Sequence, residues 1–258
     1  MKPRIAVFKF ASCDGCQMQF LNSGSELLKL SGLADIAYFP EARSRALEGP
    51  YDIAFVEGSI TTPDDARRII SVREQARYLV TIGACATAGG LQALRNWADI
   101  EQYRRVVYPN PEFISTLSTS TPISEHVKVD FEIWGCPADR DELMKVTRSL
   151  LSGAKPVLPA HSVCMECKRR GNVCVVVARG EPCLGPVTRT GCGALCPAFN
   201  RGCYGCFGPA DDQNVASFTR LLAAQGVTGD DAIRRLRMIN GYVRPWREAA
   251  DALAASKK

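Results

Sequence analysis

Eight of the chain's twelve cysteines fall between Cys164 and Cys206, within 43 residues. They are spaced Cys164-x2-Cys167, Cys174, Cys183, Cys192-x3-Cys196-Pro197 and Cys203-x2-Cys206. Apart from the short run Val173 to Ala178, this stretch is poor in aliphatic residues and rich in glycine and proline. Such a segment buries too little apolar surface to offset the entropy of ordering it. Disulfides, zinc or iron–sulfur clusters must then tie it together. The other cysteines are Cys13, Cys16, Cys85 and Cys136. Twelve divides into three sets of four, and four thiolates hold one [4Fe–4S] cluster or one structural zinc.

The chain's start argues against disulfides. Met1-Lys-Pro-Arg leads directly into the apolar run Ile5 to Phe10, with no secretory h-region and no twin-arginine leader. No apolar run reaches the roughly 18 residues that a membrane span needs. The expectation is a cytoplasmic chain, outside membranes, in a compartment where structural disulfides are rare. Net charge is a mild +5. The basic residues are scattered, so nucleic-acid binding is not expected. Their one cluster, Lys168-Arg169-Arg170, reads either as a solvated face or as a dock for a partner.

Upstream of the cysteine-rich module the pattern alternates between strand and helix. Arg4 to Phe10 reads as a strand, followed by the loop Ala11-Ser12-Cys13-Asp14-Gly15-Cys16 and a helical spacing through Phe20, Leu21, Leu27, Leu28 and Leu30. Further strands are predicted at Ala34 to Phe39, Ile53 to Val56, Tyr78 to Ile82 and Val127 to Trp134. Thr62-Pro63-Asp64-Asp65 is a helix start, with a capping threonine, proline at the first position and acids in the first turn. Asp139 caps another helix carrying Leu143, Val146, Leu150 and Leu151. From Trp97 to Glu125 the chain reads as irregular. This order implies an α/β fold with a doubly wound parallel sheet. Ser152 to Pro156 breaks the last helix and divides an N-terminal domain, 1–155, from a small irregular module with C-terminal helices, 156–258. Those helices are predicted at Val215 to Ala224, Asp230 to Ile239 and Pro245 to Ala255.

Cys13, Cys16, Cys85 and Cys136 all follow predicted strands. Open parallel sheets bind their ligands at the carboxyl ends of the strands, so these four are expected to converge on one edge. A zinc ribbon usually takes two Cys-x2-Cys pairs per site. Here each set of four would have one pair and two lone cysteines. Cys192-x3-Cys196-Pro197 also echoes the ending of bacterial ferredoxin motifs. Iron–sulfur is therefore favoured over zinc.

At these residues a family resemblance emerges. Cys13-x2-Cys16, Gly83-x-Cys85-Ala86 and Gly135-Cys136-Pro137 resemble the proximal-cluster motifs of [NiFe] hydrogenase small subunits, and Glu57-Gly58-Ser59 matches a segment near that cluster. Pro182-Cys183-Leu-Gly-Pro-Val-Thr-Arg-x-Gly-Cys192 resembles the cytoplasmic NAD(P)-linked branch, including sulfhydrogenase delta subunits. The resemblance spans about residues 4 to 245. It implies a flavodoxin-like N-terminal domain and three [4Fe–4S] clusters. Cys13, Cys16, Cys85 and Cys136 would hold the proximal one. Cys192, Cys196, Cys203 and Cys206 would hold the medial one, and Cys164, Cys167, Cys174 and Cys183 the distal one. A swap involving Cys196 is the alternative grouping, because a Cys before Pro crosses to the other cluster in two-cluster ferredoxins. The implied partners are a large subunit carrying nickel and iron, and a flavin- and NAD(P)-binding diaphorase part.

The chain departs from respiratory-type relatives, which carry a leader, a membrane anchor and a distal histidine, none of them evident here. Those relatives often have Pro where Cys196 stands, so a four-iron medial cluster is implied. The related complex I subunit has adjacent cysteines in its first motif, unlike Cys13 and Cys16. His161 imitates a ligand three residues before Cys164, but reads as a loop residue. Glu57 orients the proximal loop or relays protons at the subunit contact, or else is simply a loop-capping carboxylate. No residue here is expected to perform hydrogen chemistry. The competing functions are a ferredoxin-like carrier working alone and a zinc-stabilised scaffold. Met18, Phe20 and Ile60 are expected anchors for the large subunit, unless Phe20 packs inside its own domain.

Overall fold

The apolar run after Arg4 forms β1 (Arg4–Lys9), and the residues that follow it build a parallel sheet around it. In this computed structural model, which describes residues 2–256, the chain continues through α1 (Gly15–Leu21), α2 (Ser25–Leu33), β2 (Asp35–Tyr38), β3 (Tyr51–Glu57), α3 (Pro63–Gln75), β4 (Ala76–Ile82) and α4 (Gly83–Ala88). It then passes through 3-10 turns and α5 (Ile100–Val107) to β5 (Phe131–Ile133) and α6 (Arg140–Leu151). The second part holds the short helices α7 (Val163–Arg169), α8 (Val175–Arg179) and α9 (Leu195–Ala198). The longer α10 (Val215–Ala224), α11 (Gly229–Leu236) and α12 (Arg244–Ala255) follow. Two compact units divide after Pro156.

In the first unit the five strands lie in the order β2-β1-β3-β4-β5, all parallel, with Ile5 opposite Ile53, Ile53 opposite Tyr78 and Val80 opposite Phe131. This is the doubly wound α/β arrangement read from the strand–helix alternation. The strands are buried on both faces, so they run as near-continuous apolar segments. Ala54 and Val56 of β3 and Leu79 of β4 pack with Ile69 and Val72 of α3. Thr62 caps α3 as its sequence predicts: the hydroxyl accepts the Asp65 N–H at 3.1 Å, with Pro63 at the first position.

Three local expectations need correction. The helical spacing from Phe20 to Leu30 resolves into α1 and α2, separated at Gly24, whose φ is +52°. The strand expected from Val127 to Trp134 pairs only over Phe131–Ile133. There the Asp130 carboxylate accepts the Leu79 N–H at 2.8 Å, taking a donor that a longer ladder would use. The stretch after Trp97 is not wholly irregular. Asp99 accepts the Glu101 N–H at 2.9 Å and starts α5, a helix with no buried residue.

In the second unit α10, α11 and α12 supply the apolar surface that the cysteine-rich stretch lacks. Phe218, Leu222, Leu236 and Trp246 pack with Val163, Val175, Leu184 and Val187. Trp246 is fully buried and its indole N–H donates to Gln213 Oε1 at 2.7 Å. Helix α11 ends at Leu236, short of the predicted Ile239. Among the described residues no helix is long and apolar enough to cross a membrane.

Candidate functional site

Each cysteine of the N-terminal set owes its place to a strand end. Cys13 lies in the loop after β1, and Cys16 in the first turn of α1. Cys85 lies in α4 directly after β4, and Cys136 in the turn after β5, where the Cys136–Pro137 peptide is cis. Parallel strands bring all these loops to one edge. Cys85 and Cys136 are within electrostatic reach of both Cys13 and Glu57, and Cys16 is within reach of Cys85 and Cys136.

Backbone geometry fits this edge to sulfur. Gly83 has φ +80°, and a Cβ there would lie inside the van der Waals envelope of Cys16 Sγ. The Ala138 N–H donates to Cys16 Sγ at 3.4 Å. Burial pushes the Cys16 and Cys136 thiols up and holds Cys85 at about 11. Without a cation beside them, these sulfurs stay protonated near neutral pH. Bound iron would remove their protons outright. Free thiols, N–H donors aimed at sulfur and a glycine cradle are the donor set that an iron–sulfur cluster takes.

Glu57, buried at the end of β3, organises the same edge. Its carboxylate accepts the Cys16 N–H at 2.9 Å and the Gln17 side-chain amide at 2.7 Å. It thereby satisfies one of the amides left free at the start of α1. Burial raises the Glu57 pKa, although both donors oppose the shift. Among its readings, these contacts are those of a carboxylate that caps and holds the Cys16 loop. Ser59 pairs with Ala11 through two backbone hydrogen bonds, tying the loop after β3 to the loop after β1.

In the second unit Cys164 is within electrostatic reach of Cys167, Cys174 and Cys183, so these four share one neighbourhood. Cys192 lies beside Cys196, and Cys203 beside Cys206 and Cys183. The Gly185 and Cys203 N–H groups donate to Cys183 Sγ at 3.4 and 3.1 Å, and the Gly205 N–H donates to Cys203 Sγ at 3.4 Å. Burial pushes Cys164 up to about 11 and raises Cys183, Cys192 and Cys203. None of the twelve cysteines forms a disulfide. Among the described residues no group of three or more His, Cys, Asp or Glu converges on a single ion. His161 lies in the loop before α7, where its ring Nδ1 meets the Ser162 carbonyl at 3.2 Å.

Two expected partner anchors belong to the core instead. Phe20 is 2% exposed and packs edge-on against Phe55 and Phe39, while Ile60 is 0% exposed. Both face inward because α1 and the loop after β3 cover the sheet. Met18 is exposed, as are Leu91 and Leu94 in the turn after α4.

Three polar residues escaped the sequence reading. Gln17 is fully buried and joins Glu57 to the Cys16 loop. Gln92 accepts from the Cys85 thiol at 3.4 Å and donates to the Ala11 carbonyl at 2.9 Å. Asn240 is fully buried and donates to the Gly205 and Cys206 carbonyls at 2.8 and 3.1 Å. Gln17 could have been suspected from its place beside Cys16. The other two act across long sequence separations and leave no local signal.

Comparison with known proteins places this geometry. Residues 13–150 match the family described as NADH ubiquinone oxidoreductase, 20 Kd subunit. The chain is 36% identical over 234 residues, 91% of its length and 98% of the relative's, to sulfhydrogenase 2 subunit delta of Pyrococcus furiosus. It is 28% identical to a vhu subunit of the F420-non-reducing hydrogenase of Methanocaldococcus jannaschii, over 94% of this chain and 95% of that one. A crystal structure of an NAD+-reducing [NiFe]-hydrogenase in its H2-reduced state contains a chain superposing with a TM-score of 0.58. The two are 31% identical, over 62% of this chain and 96% of that one.

Proposed function

This chain belongs to the family of the NADH ubiquinone oxidoreductase 20 Kd subunit, and from that premise we propose that it is the electron-transfer small subunit of a cytoplasmic [NiFe] hydrogenase. The observation that carries this reading is the meeting of Cys13, Cys16, Cys85 and Cys136, delivered to one edge by strand-end loops remote in sequence. A zinc scaffold would not need three strand-end segments of an α/β domain for this. A carrier working alone would need only the smaller module.

We assign Cys13, Cys16, Cys85 and Cys136 to a proximal [4Fe–4S] cluster, Cys192, Cys196, Cys203 and Cys206 to a medial one, and Cys164, Cys167, Cys174 and Cys183 to a distal one. Such clusters, when bound, supply one-electron transfer at potentials set by burial and by hydrogen bonds to sulfur. The chain's own part is to hold and tune them. The Ala138, Gly185, Cys203 and Gly205 amides point at cysteine sulfurs, and Glu57 fixes the Cys16 loop. With all twelve cysteines assigned, no thiolate set is left for nickel, so hydrogen activation falls to a large-subunit partner. That partner would cover the proximal edge and meet Met18, Leu91 and Leu94, which are exposed. Of the relatives, one is named as NAD+-reducing and another as F420-non-reducing. The match to a chain of an NAD+-reducing [NiFe]-hydrogenase favours a flavin- and NAD(P)-binding diaphorase part as the second partner.

Metal analysis of the anaerobically purified complex tests the reading. We expect about 12 irons and about 12 acid-labile sulfides per copy of this chain, from three cubanes of four irons, and a brown colour that bleaches with dithionite. Zinc in place of iron, with no labile sulfide, would leave the scaffold reading standing instead.

A further inference from the structure

We propose that Gln92 is a positioning residue for the Cys85 sulfur: on iron loading its side-chain amide turns to donate an N–H to that sulfur and so raises the reduction potential of the cluster held there. The inference rests on the reading above that Cys13, Cys16, Cys85 and Cys136 hold a cluster, and it adds which side chain tunes that cluster and by what bond.

Contact with sulfur is the first observation. Gln92 Oε1 lies 3.4 Å from Cys85 Sγ, and among the described residues it is the one hydrogen-bond partner of this sulfur. Cys16 differs, because its sulfur accepts a backbone amide, that of Ala138. Gly90 makes the Gln92 contact possible. Its φ is +63°, and an added Cβ would stand 2.6 Å from both Cys85 Sγ and Gln92 Oε1. Any side chain at this position would force the two apart, so the bare backbone here holds the amide against the sulfur.

The second observation is a surplus of donors at the other end of the same amide. Gln92 Nε2 donates to the Ala11 carbonyl at 2.9 Å. That oxygen also accepts the Ser59 N–H at 3.0 Å and the Ser59 hydroxyl at 3.4 Å. A carbonyl oxygen has two lone pairs, so three donors are one more than it can use. Gln92 can therefore release Ala11 without orphaning it. The sulfur's requirement changes in the opposite sense. A Cys85 thiol donates its proton to Oε1. A sulfur bound to iron carries no proton, and Oε1 would then set its lone pairs against an electron-rich atom. Rotation about the last side-chain torsion, a soft one, replaces Oε1 with an N–H donor. Gln92 is half-buried, which leaves water to serve the displaced oxygen. An N–H bond to a ligating sulfur withdraws charge from it and favours the more negative, reduced cluster.

The test is an EPR-monitored redox titration of the intact hydrogenase complex. The wild-type transition that is missing from a Cys16→Ser complex marks the cluster of this edge. Gln92→Met keeps an unbranched side chain of similar length but has no donor. In that variant the ratio of reduced to oxidised cluster at a fixed potential should fall about tenfold, which for one electron is a midpoint about 59 mV lower. Gln92→Glu keeps the shape of the side chain without its N–H and should fall at least as far. The other transitions should not move. Pulsed EPR of the wild-type complex, labelled with nitrogen-15 in its glutamine side chains, should show a nitrogen coupling to the reduced cluster that Gln92→Glu abolishes. A side chain that merely ties the Cys85 and Ala11 loops together would lower iron content in both variants, while the iron that remained titrated at the wild-type potential. That result overturns the proposal, as does a shift shared by every transition. Absence of the nitrogen coupling in the wild type overturns it too, even where neither variant loads iron. Should the wild-type complex lack iron, the functional reading itself fails, and that outcome is distinct from all of these.

Discussion

Replacing Gly83 with alanine should cost the chain both stability and its N-terminal iron. Two effects add at this position. The residue has φ +80°, a left-handed conformation that costs an L-residue about 1–2 kcal/mol. The new methyl would also lie well under 3.0 Å from Cys16 Sγ, against the 3.4–4 Å of ordinary contact. The sulfur cannot simply rotate away, because Cys16 is buried and held by the Glu57 carboxylate and the Ala138 amide. Overpacking of this kind costs about 1–3 kcal/mol, for a total of about 2–5 kcal/mol. Gly153 separates the two contributions. It also has positive φ, +74°, but an added Cβ there meets nothing within 4 Å. Gly153→Ala should therefore lose only the backbone share, about 1–2 kcal/mol. Denaturant unfolding of both variants, with iron analysis after anaerobic purification, gives the comparison. We expect Gly83→Ala to lose about four of the roughly 12 irons and Gly153→Ala to keep them all. If both variants unfolded at the same denaturant concentration with full iron, the packing of Gly83 against the Cys16 sulfur would be irrelevant and the reasoning wrong.

Cys16→Ser should suppress H2-dependent dye reduction while the iron of the C-terminal module remains. A variant complex that oxidises hydrogen normally would break the proximal assignment. Asn240→Ala leaves the Gly205 and Cys206 carbonyls without their buried donor, at about 1–3 kcal/mol. Faster iron loss under chelator challenge than in wild type is the expected result. Expressed without its large subunit, the chain should aggregate or lose iron in air, since Met18, Leu91 and Leu94 are then bare. A soluble monomer with full iron in air, by size-exclusion chromatography and metal analysis, would contradict this.

The parallel sheet could be read from the sequence because buried strands write themselves as apolar runs such as Ile53 to Val56, and Thr62-Pro63 announces its helix through local chemistry. The gathering of four distant cysteines at one edge followed from sheet geometry alone. What stayed hidden was tertiary. Phe20 looks the same in sequence whether it meets Phe55 or a partner, and only the packing of α1 decides. Asp130 trims β5 by taking an amide 51 residues away. Gln92 reaches Ala11 across 81 residues and Asn240 reaches Gly205 across 35. Polar residues of this kind follow no periodicity, so no spacing rule finds them.

The hydrogen bond from the Cys16 amide to Glu57 also says what this sheet has given up. In open parallel sheets with this strand order, the crevice beside the first strand ordinarily receives a flavin or nucleotide, whose phosphate meets bare amides at the start of the first helix. Here a carboxylate from the neighbouring strand already occupies that position, at 2.9 Å and out of reach of solvent. The chain supplies its own hydrogen-bond acceptor where a visiting phosphate would otherwise bind. Phosphate capture and a cysteine-lined edge are thus mutually exclusive uses of one crevice, and Glu57 closes the first.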